Sequence, residues 1–407
     1  MGADRQGRDD GDERAATPTD ATTDGGGTDG GGSDGGGSDG TDEHALLAHP
    51  RADTDPLLVQ IRSRLARATA LERTVWHAGE LLHVRRPAGR FRPDPVDVSG
   101  IYGGETVPSY PVDADRAPSE FLPAGDLNPV VTAADVTDFG RADCVADPFL
   151  FVDAEGRWHC FFEVYTLNRE PSAAIAHAES PDGYEWTYDR VVLEHPYHLS
   201  FPYVFRWAGE HYMIPDQWSK TADPAPATLY RAESFPTTWE PVADLVRPET
   251  PRHDFAPFRW DGRWWALMGD GVDLYAYYSD DLEAPDWRPH EANPVVENRP
   301  AAARPGGRPL VFDDRVLAFY QDCVGRYGER IRPHEITELT PSTYEDRERA
   351  DSPVLEPTGG LAWNSGAMHH VDPWWDGEGY HCAVDGNLGL GYQVFGEHHW
   401  AIGIYRA

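Results

Sequence analysis

A turn followed by an aromatic-rich strand recurs five times in the second part of this chain, and no other feature constrains the fold as tightly. The copies read GRWHCFFE (156 to 163), GEHYMIPD (209 to 216), GRWWALMG (262 to 269), DRVLAFYQD (314 to 322) and GEGYHCAVD (377 to 385). Gly156, Gly209 and Gly262 stand 53 residues apart. Ahead of each copy lies a short apolar strand carrying a proline: Pro148 in DPFLFV, Pro202 in FPYVF, Pro257 in APFRW, Pro305 in RPGGRPLVF and Pro373 in DPWW. Downstream strands rhyme as well, IAHAES with LYRAES and LYAYYS. Four short strands in every ~50 residues is the pattern of a propeller blade. The expected fold class is therefore all-β, a five-bladed β-propeller over residues 127–407. A sandwich also yields short strands at regular spacing, but it has no reason to repeat a proline and a turn glycine at a fixed interval.

The segments ahead of the repeat read differently. Residues 1–42 are Gly, Asp, Ser and Thr, including TDGGGTDGGGSDGGGSDG, with no apolar surface to offset the entropy of ordering, so a disordered acidic tail is expected. Within 43–126, Leu57, Ile61, Leu65 and Leu71 fall near helical spacing, with Asp55 placed to cap and Pro56 at the first turn. One helix is expected from about Asp55 to Val84, followed by a connector rich in Pro, Gly and Asp.

The net charge of −34 is spread along the chain. Residues 1–50 hold twelve Asp or Glu against three Arg, a net −9, which leaves −25 for the remainder. Lys220 is the one lysine, so the other 34 basic residues are arginine. This pattern points to a protein adapted to concentrated salt, where a Debye length of about 3 Å at 1 M removes the self-repulsion of an acidic surface. It excludes nucleic acid as a partner, because no basic stripe is present to neutralise phosphates. Cys144, Cys160, Cys323 and Cys382 show no metal-ligand spacing and are expected as free thiols, with neither metal nor cofactor. No apolar run approaches 18 residues and the N-terminal residues show no charged-then-apolar or twin-arginine pattern, so a cytoplasmic protein without an integral membrane segment is expected.

In a propeller the innermost strands surround one central mouth, so the residues beside the five prolines should converge there. They are Asp147, then His198, Ser200 and Phe201, Asp254, Arg304, and finally His369, His370 and Asp372. If each second strand returns antiparallel, Glu163, Asp216 with Gln217, and Gln321 with Asp322 rim the same opening. Carboxylates in differing environments, with imidazoles and a guanidinium to hold their pKa values apart, are the equipment of glycoside chemistry. The candidate catalytic residues are Asp147, Asp254, Glu163, Asp216 and Asp322, and the candidate substrate-binding residues are His198, Ser200, Arg304, Gln321, His370 and Asp372. Adjacent residues of a strand face opposite ways, so at most one of His369 and His370, and one of His398 and His399, can point inward. Trp218, Trp363, Trp374 and Trp375 could present a stacking face to a sugar ring. Asp before Pro also commonly initiates a turn, so several of these acids have a purely structural alternative.

The block from about Asn128 to His381 resembles the N-terminal propeller domain of the plant glucosamine inositolphosphorylceramide transferases and its microbial relatives. The resemblance rests on NPVVTAADVTDF (128 to 139), VADPFLF (145 to 151), HLSFPYVF (198 to 205), YMIPD (212 to 216), LYRAESFPTTW (229 to 239), ARPGG (303 to 307), QDCVGRYG (321 to 328) and HHVDP (369 to 373). Where that family typically has Pro-Glu, this chain has Pro215 and Asp216. The resemblance implies that sugar-transfer chemistry resides in a separate C-terminal glycosyltransferase domain, here expected on another chain. More distantly, the ADPF motif and the five blades look like the arabinanase, xylosidase and fructosidase clan of glycosidases. That likeness implies a base or nucleophile at Asp147. It also exposes two departures: blade two offers His198 and Ser200 in place of an acid, and blade three offers Asp254 where the clan often has Glu. The chain is thus read as a carbohydrate-active propeller of glycosidase-like type acting on a glycan or glycoconjugate, or else as a non-catalytic domain binding a glycan or glycolipid headgroup beside a separate glycosyltransferase.

Overall fold

The computed structural model describes residues 93–99, 117–218, 224–360, 362–389 and 399–407. The expected acidic tail, the helix expected between Asp55 and Val84, and His398 all lie outside the described residues.

The described chain forms five separate four-stranded antiparallel sheets, which is the expected propeller and excludes a sandwich. A first short strand, β1 (Leu122–Pro123), is held over for the last blade. Blade one comprises β2 (Cys144–Val152), β3 (Trp158–Tyr165), β4 (Ala173–Ser180) and β5 (Thr187–Leu193). Blade two comprises β6 (His198–Trp207), β7 (Glu210–Trp218), β8 (Ala227–Ser234) and β9 (Thr238–Val246). Blade three comprises β10 (His253–Trp260), β11 (Arg263–Gly269), β12 (Leu274–Ser279) and β13 (Arg288–Pro289). Blade four comprises β14 (Leu310–Val311), β15 (Val316–Gln321), β16 (Ile331–Leu339) and β17 (Tyr344–Glu348). Blade five comprises β18 (Val371–Trp375), β19 (Tyr380–Asn387) and β20 (Trp400–Arg406), with β1 as its outermost strand. Helix is almost absent from the described residues, where a 3-10 turn spans Ala133–Asp135.

The repeated glycines sit where the hairpins need them. Ala208 and Gly209 have φ of 52° and 85°, and Asp261 and Gly262 have 48° and 73°. Two successive left-handed residues make the type I′ turn whose twist matches that of the paired strands.

Ring closure joins the two ends of the propeller. Leu122 lies opposite Arg406 and Pro123 opposite Tyr405, so the ring takes in residues upstream of the boundary expected at 127. A proline is tolerated there because β1 is an edge strand. Asn128 adds a side-chain clasp, donating from Nδ2 to the Ile404 carbonyl at 2.8 Å and accepting the Ile404 N–H at Oδ1 at 2.6 Å.

The inner strands meet around a buried cation. Arg308 is fully buried, and its guanidinium donates to Asp372 Oδ1 at 2.6 Å and to the carbonyls of Leu150 and Val204 at 3.2 and 3.1 Å. The rings of Phe149, Tyr203 and Trp374 surround it. One side chain of blade four therefore bonds the inner strands of blades one, two and five. Cys144, Cys160 and Cys382 are buried free thiols, Cys323 is a half-buried one, and no described helix is long and apolar enough to cross a membrane.

Candidate functional site

One local device builds the mouth in three consecutive blades. Pairing runs from Ala146 opposite Glu163 to Phe149 opposite Phe161, from Ser200 opposite Asp216 to Tyr203 opposite Ile214, and from His253 opposite Gly269 to Ala256 opposite Leu267. In each case the inner strand carries one extra residue, a β-bulge, which re-aims a side chain. The first bulge residue is left-handed every time: Asp147 at φ 52°, Phe201 at 44° and Asp254 at 62°. Asp tolerates that region, whereas a bulky residue such as Phe is there an outlier that the surrounding packing must hold.

This register corrects the alignment by prolines. Phe255, not Pro257, is the counterpart of Pro148 and Pro202, and His253 stands where the other blades have Ala146 and Ser200. Phe201 occupies the blade-two position of Asp147 and Asp254, as the missing acid before Pro202 had indicated. Gly269 stands where blades one and two carry Glu163 and Asp216. A Cβ there would lie 1.8 Å from the Ala303 carbonyl oxygen, so the blade-four segment that delivers Arg304 excludes a third acid.

The resulting cavity is lined by Asp147, Glu163, Asp216, His198, Ser200, His253, Arg304 and His369, with Tyr165, Trp218, Tyr327 and Trp400 supplying aromatic wall. Each acid of this lining faces an imidazole. Glu163 Oε1 lies 3.1 Å from His198 Nε2, Asp216 Oδ2 lies 3.0 Å from His253 Nδ1, and Asp147 Oδ1 lies 3.6 Å from His369 Nε2. The first two pairs follow one rule: an acid ending the second strand of a blade meets the histidine opening the next blade. His369 is pressed against the Trp400 ring, centroids 4.1 Å apart, and its Nδ1 lies 2.7 Å from Asp385 Oδ2.

Electrostatics separate these groups. Burial pushes the Asp147 carboxyl well above the usual carboxylate range; His369 opposes this, and the neighbouring charges of Glu163, Asp385 and Asp254 add to it. Burial also acts on Asp216, but His253, Arg304 and His198 overcome it and hold that carboxyl below its ordinary value. Desolvation opposes charge on His369, yet Asp385 and Asp147 raise it to about 9.

The remaining expected residues divide into supports and outsiders. Asp254 is gripped by Arg304, whose Nε and Nη2 lie 2.5 and 3.3 Å from its two oxygens, and by Gln321 Nε2 at 2.8 Å. Gln321 also donates to the Pro305 carbonyl and so braces the floor rather than lining the cavity. Asp322 is committed to its own loop, accepting from Arg332 Nε at 2.8 Å and from the Val324 N–H. His369 and His370 precede the inner strand of blade five, so strand alternation does not separate them: His370 Nδ1 also lies 3.7 Å from Asp147 Oδ1, while its ring packs edge-on against Phe149 and Phe201. Burial lowers it to about 3, so it is a neutral core histidine. Asp372, expected at the mouth, is the channel partner of Arg308 and the acceptor for the Leu150 N–H. Gln217 bonds the Pro226 carbonyl, Trp374 lies over Arg308, Trp375 packs against Tyr380, and Trp363 packs close to Gly386 and Gly403, leaving Trp218 as the expected tryptophan that lines the cavity.

Asp385 and His253 were not singled out in sequence. Asp385 lies at the end of the fifth repeated motif, in the place held by Glu163 and Asp216, which is the signal that could have found it. Asp147, His369 and Asp385 offer ligand atoms within 4.8 Å of one another, a cluster no short spacing announced. Both Asp385 oxygens are already taken, however. Oδ1 accepts the N–H groups of His369 and His370, and Oδ2 accepts that of Asp147. A cation would have to share the carboxylate with these three donors, so most of its acceptor capacity already holds backbone.

Residues 101–387 match the family described as glucosamine inositolphosphorylceramide transferase 1, N-terminal. The chain belongs to this family. It is similar to glucosamine inositolphosphorylceramide transferase 1 of Oryza sativa subsp. japonica, 32% identical over 256 residues that make up 60% of this chain and 33% of the relative. The Arabidopsis thaliana protein of that name is 33% identical over 258 residues, 60% of this chain and 32% of the relative. The chain thus spans about a third of the length of the curated relatives it matches. Among solved structures, a glycosyl hydrolase from Bacteroides ovatus superposes with a TM-score of 0.54 at 12% identity, covering 74% of this chain and 96% of that one. A β-1,2-mannobiose phosphorylase from Listeria innocua superposes at 0.51 and 14% identity, covering 69% and 94%. At these identities the two structures bear on the fold alone.

Proposed function

We propose that this member of the family is a carbohydrate-active propeller whose mouth performs acid–base chemistry on a sugar of a glycan or glycoconjugate. The observation that carries the reading is the convergence of Asp147, Glu163 and Asp216, each facing an imidazole, on one cavity walled by Trp218, Tyr165, Tyr327 and Trp400. Aromatic faces suit sugar rings, and neighbouring carboxyls whose pKa values are driven apart mark the acid and the base. The upward shift that burial imposes on Asp147 supports it as the proton donor, while the cations around Asp216, which hold its carboxyl below its ordinary value, support that group as the ionised partner. This reverses the base or nucleophile role that the glycosidase resemblance implied for Asp147. The named activity of the plant relatives is consistent with a carbohydrate ligand.

The test is a panel of chromogenic glycosides and free glycans in molar salt, with wild type beside D147N and D216N. Turnover that falls by about 10²–10⁴-fold in D147N is expected for loss of a general acid. Equal turnover in wild type and D147N removes the assignment. A second reading is favoured by Asp254, which is locked by Arg304 and Gln321, and by Phe201 in the blade-two acid position: a non-catalytic domain that binds a sugar headgroup beside a separate glycosyltransferase. Sugar binding that survives D147N without any hydrolysis supports this second reading.

A further inference from the structure

We propose that Asp385 is the positioning residue of the mouth, holding both the backbone of Asp147 and the ring of His369, so that the site is assembled only where blade five meets blade one. Three donors converge on this fully buried carboxylate from two blades. Its Oδ2 accepts the Asp147 N–H at 3.1 Å, and its Oδ1 accepts the N–H groups of His369 and His370 at 3.0 Å each. The His369 ring adds a fourth contact, with Nδ1 2.7 Å from Oδ2.

The bond to Asp147 falls on the left-handed first residue of the blade-one bulge. That conformation persists only where the surroundings over-determine it, and a charge-assisted hydrogen bond from its N–H is such a constraint. With Nδ1 in close contact with Asp385 Oδ2, the opposite ring nitrogen, Nε2, lies on the side of Asp147 Oδ1, 3.6 Å away. A carboxylate that fixes a histidine tautomer and turns its far nitrogen toward a reacting group is a recurrent arrangement in proton transfer. His369 thereby presents its far N–H toward Asp147, and Trp400 stacked on the ring keeps water from that face. The charged and titratable groups acting on His369 are Asp385, Asp147 and Arg304, with His370 beside it in the chain and Tyr327 edge-on to its ring. Burial opposes its charge, and Asp385 is the largest influence restoring it. The catalytic consequence rests on the sugar-handling reading above, but the relay itself does not.

The experiment is an NMR titration of the histidine side chains in wild type, D385N, D147N and H369Q, the last assigning the His369 signal. Sugar binding or turnover is followed against pH in the same samples. His369 should stay an imidazolium through neutral pH and titrate near 9 in wild type. In D385N the midpoint should fall below 7, roughly a 100-fold loss of proton affinity, whereas D147N should move it by no more than about one unit. A wild-type midpoint at or below the ordinary histidine value overturns the proposal, as does an unchanged midpoint in D385N. If D385N does not fold, wild type and D147N decide: a fall to the ordinary value in D147N would assign the effect to Asp147 and overturn it. A titration as expected with no sugar bound or turned over would leave the relay standing and remove the functional reading instead.

Discussion

At the scale of single residues, the sharpest contrast is between two buried ion pairs that the sequence presents alike. Asp254 with Arg304 reaches the cavity wall, whereas Asp372 with Arg308 lies sealed in the channel. In both, a carboxylate beside an inner strand meets an arginine of blade four, and depth alone separates a wall from a plug. Arg308 replaces solvent for three inner strands at once, so removing it should uncover an unpaired buried carboxylate and two carbonyls. Breaking a buried pair from one side typically costs about 3–5 kcal/mol, far more than replacing both partners. R308M should lose about that much in urea unfolding, and R308M/D372N should recover part of it because the orphaned charge is gone. A single variant as stable as wild type would show that the channel does not depend on the guanidinium.

At the scale of elements, the seam between β1 and β20 is where a propeller must close to hide its edges. Two paired residues are a short clasp, and Asn128 extends it by satisfying both backbone groups of Ile404. N128A should therefore lower unfolding stability by about 2 kcal/mol, the sum of two ordinary hydrogen bonds left unmade, measured by chemical denaturation. A loss below about 0.5 kcal/mol would mean that water replaces the clasp. The blades themselves were legible because hairpin turns demand Gly at a fixed place and strands demand aromatic and β-branched residues. The site was less so. Asp147, Glu163, Asp216, His198, Ser200 and Arg304 could be placed at the mouth from strand direction alone, since each strand end has one destination. Asp322 and Asp372 obeyed the same rule and went elsewhere, Asp322 to nearby Arg332 and Asp372 to Arg308 of another blade, pairings that no spacing records. The role of His253 was hidden because its counterparts are recognised through the repeated bulge, and a bulge is a property of two strands, whereas Asp385 was legible at the end of the fifth motif.

At the scale of the whole molecule, the −34 charge sits uneasily with a mouth that gathers five carboxyls, counting Asp254 and Asp385 behind its lining. Inside, each of them meets an imidazole or a guanidinium, with His369 shared by Asp147 and Asp385, and these five are a small part of the 69 acidic residues. The excess must therefore lie mostly on the outside and beyond the mouth, where screening by salt acts and buried pairs are little affected. Surface repulsion and site electrostatics should thus respond differently to ionic strength. Raising KCl from 0.1 to 1 M shortens the Debye length from about 10 to about 3 Å. The melting temperature should rise by about 5 °C, in keeping with a gain of a few kcal/mol for a chain of this size. The titration midpoint of His369, buried beside Asp385, should stay within about half a unit over the same range. A flat melting temperature would show that surface repulsion does not limit stability, and a midpoint that moves with salt would mean that solvent reaches the Asp385–His369 pair.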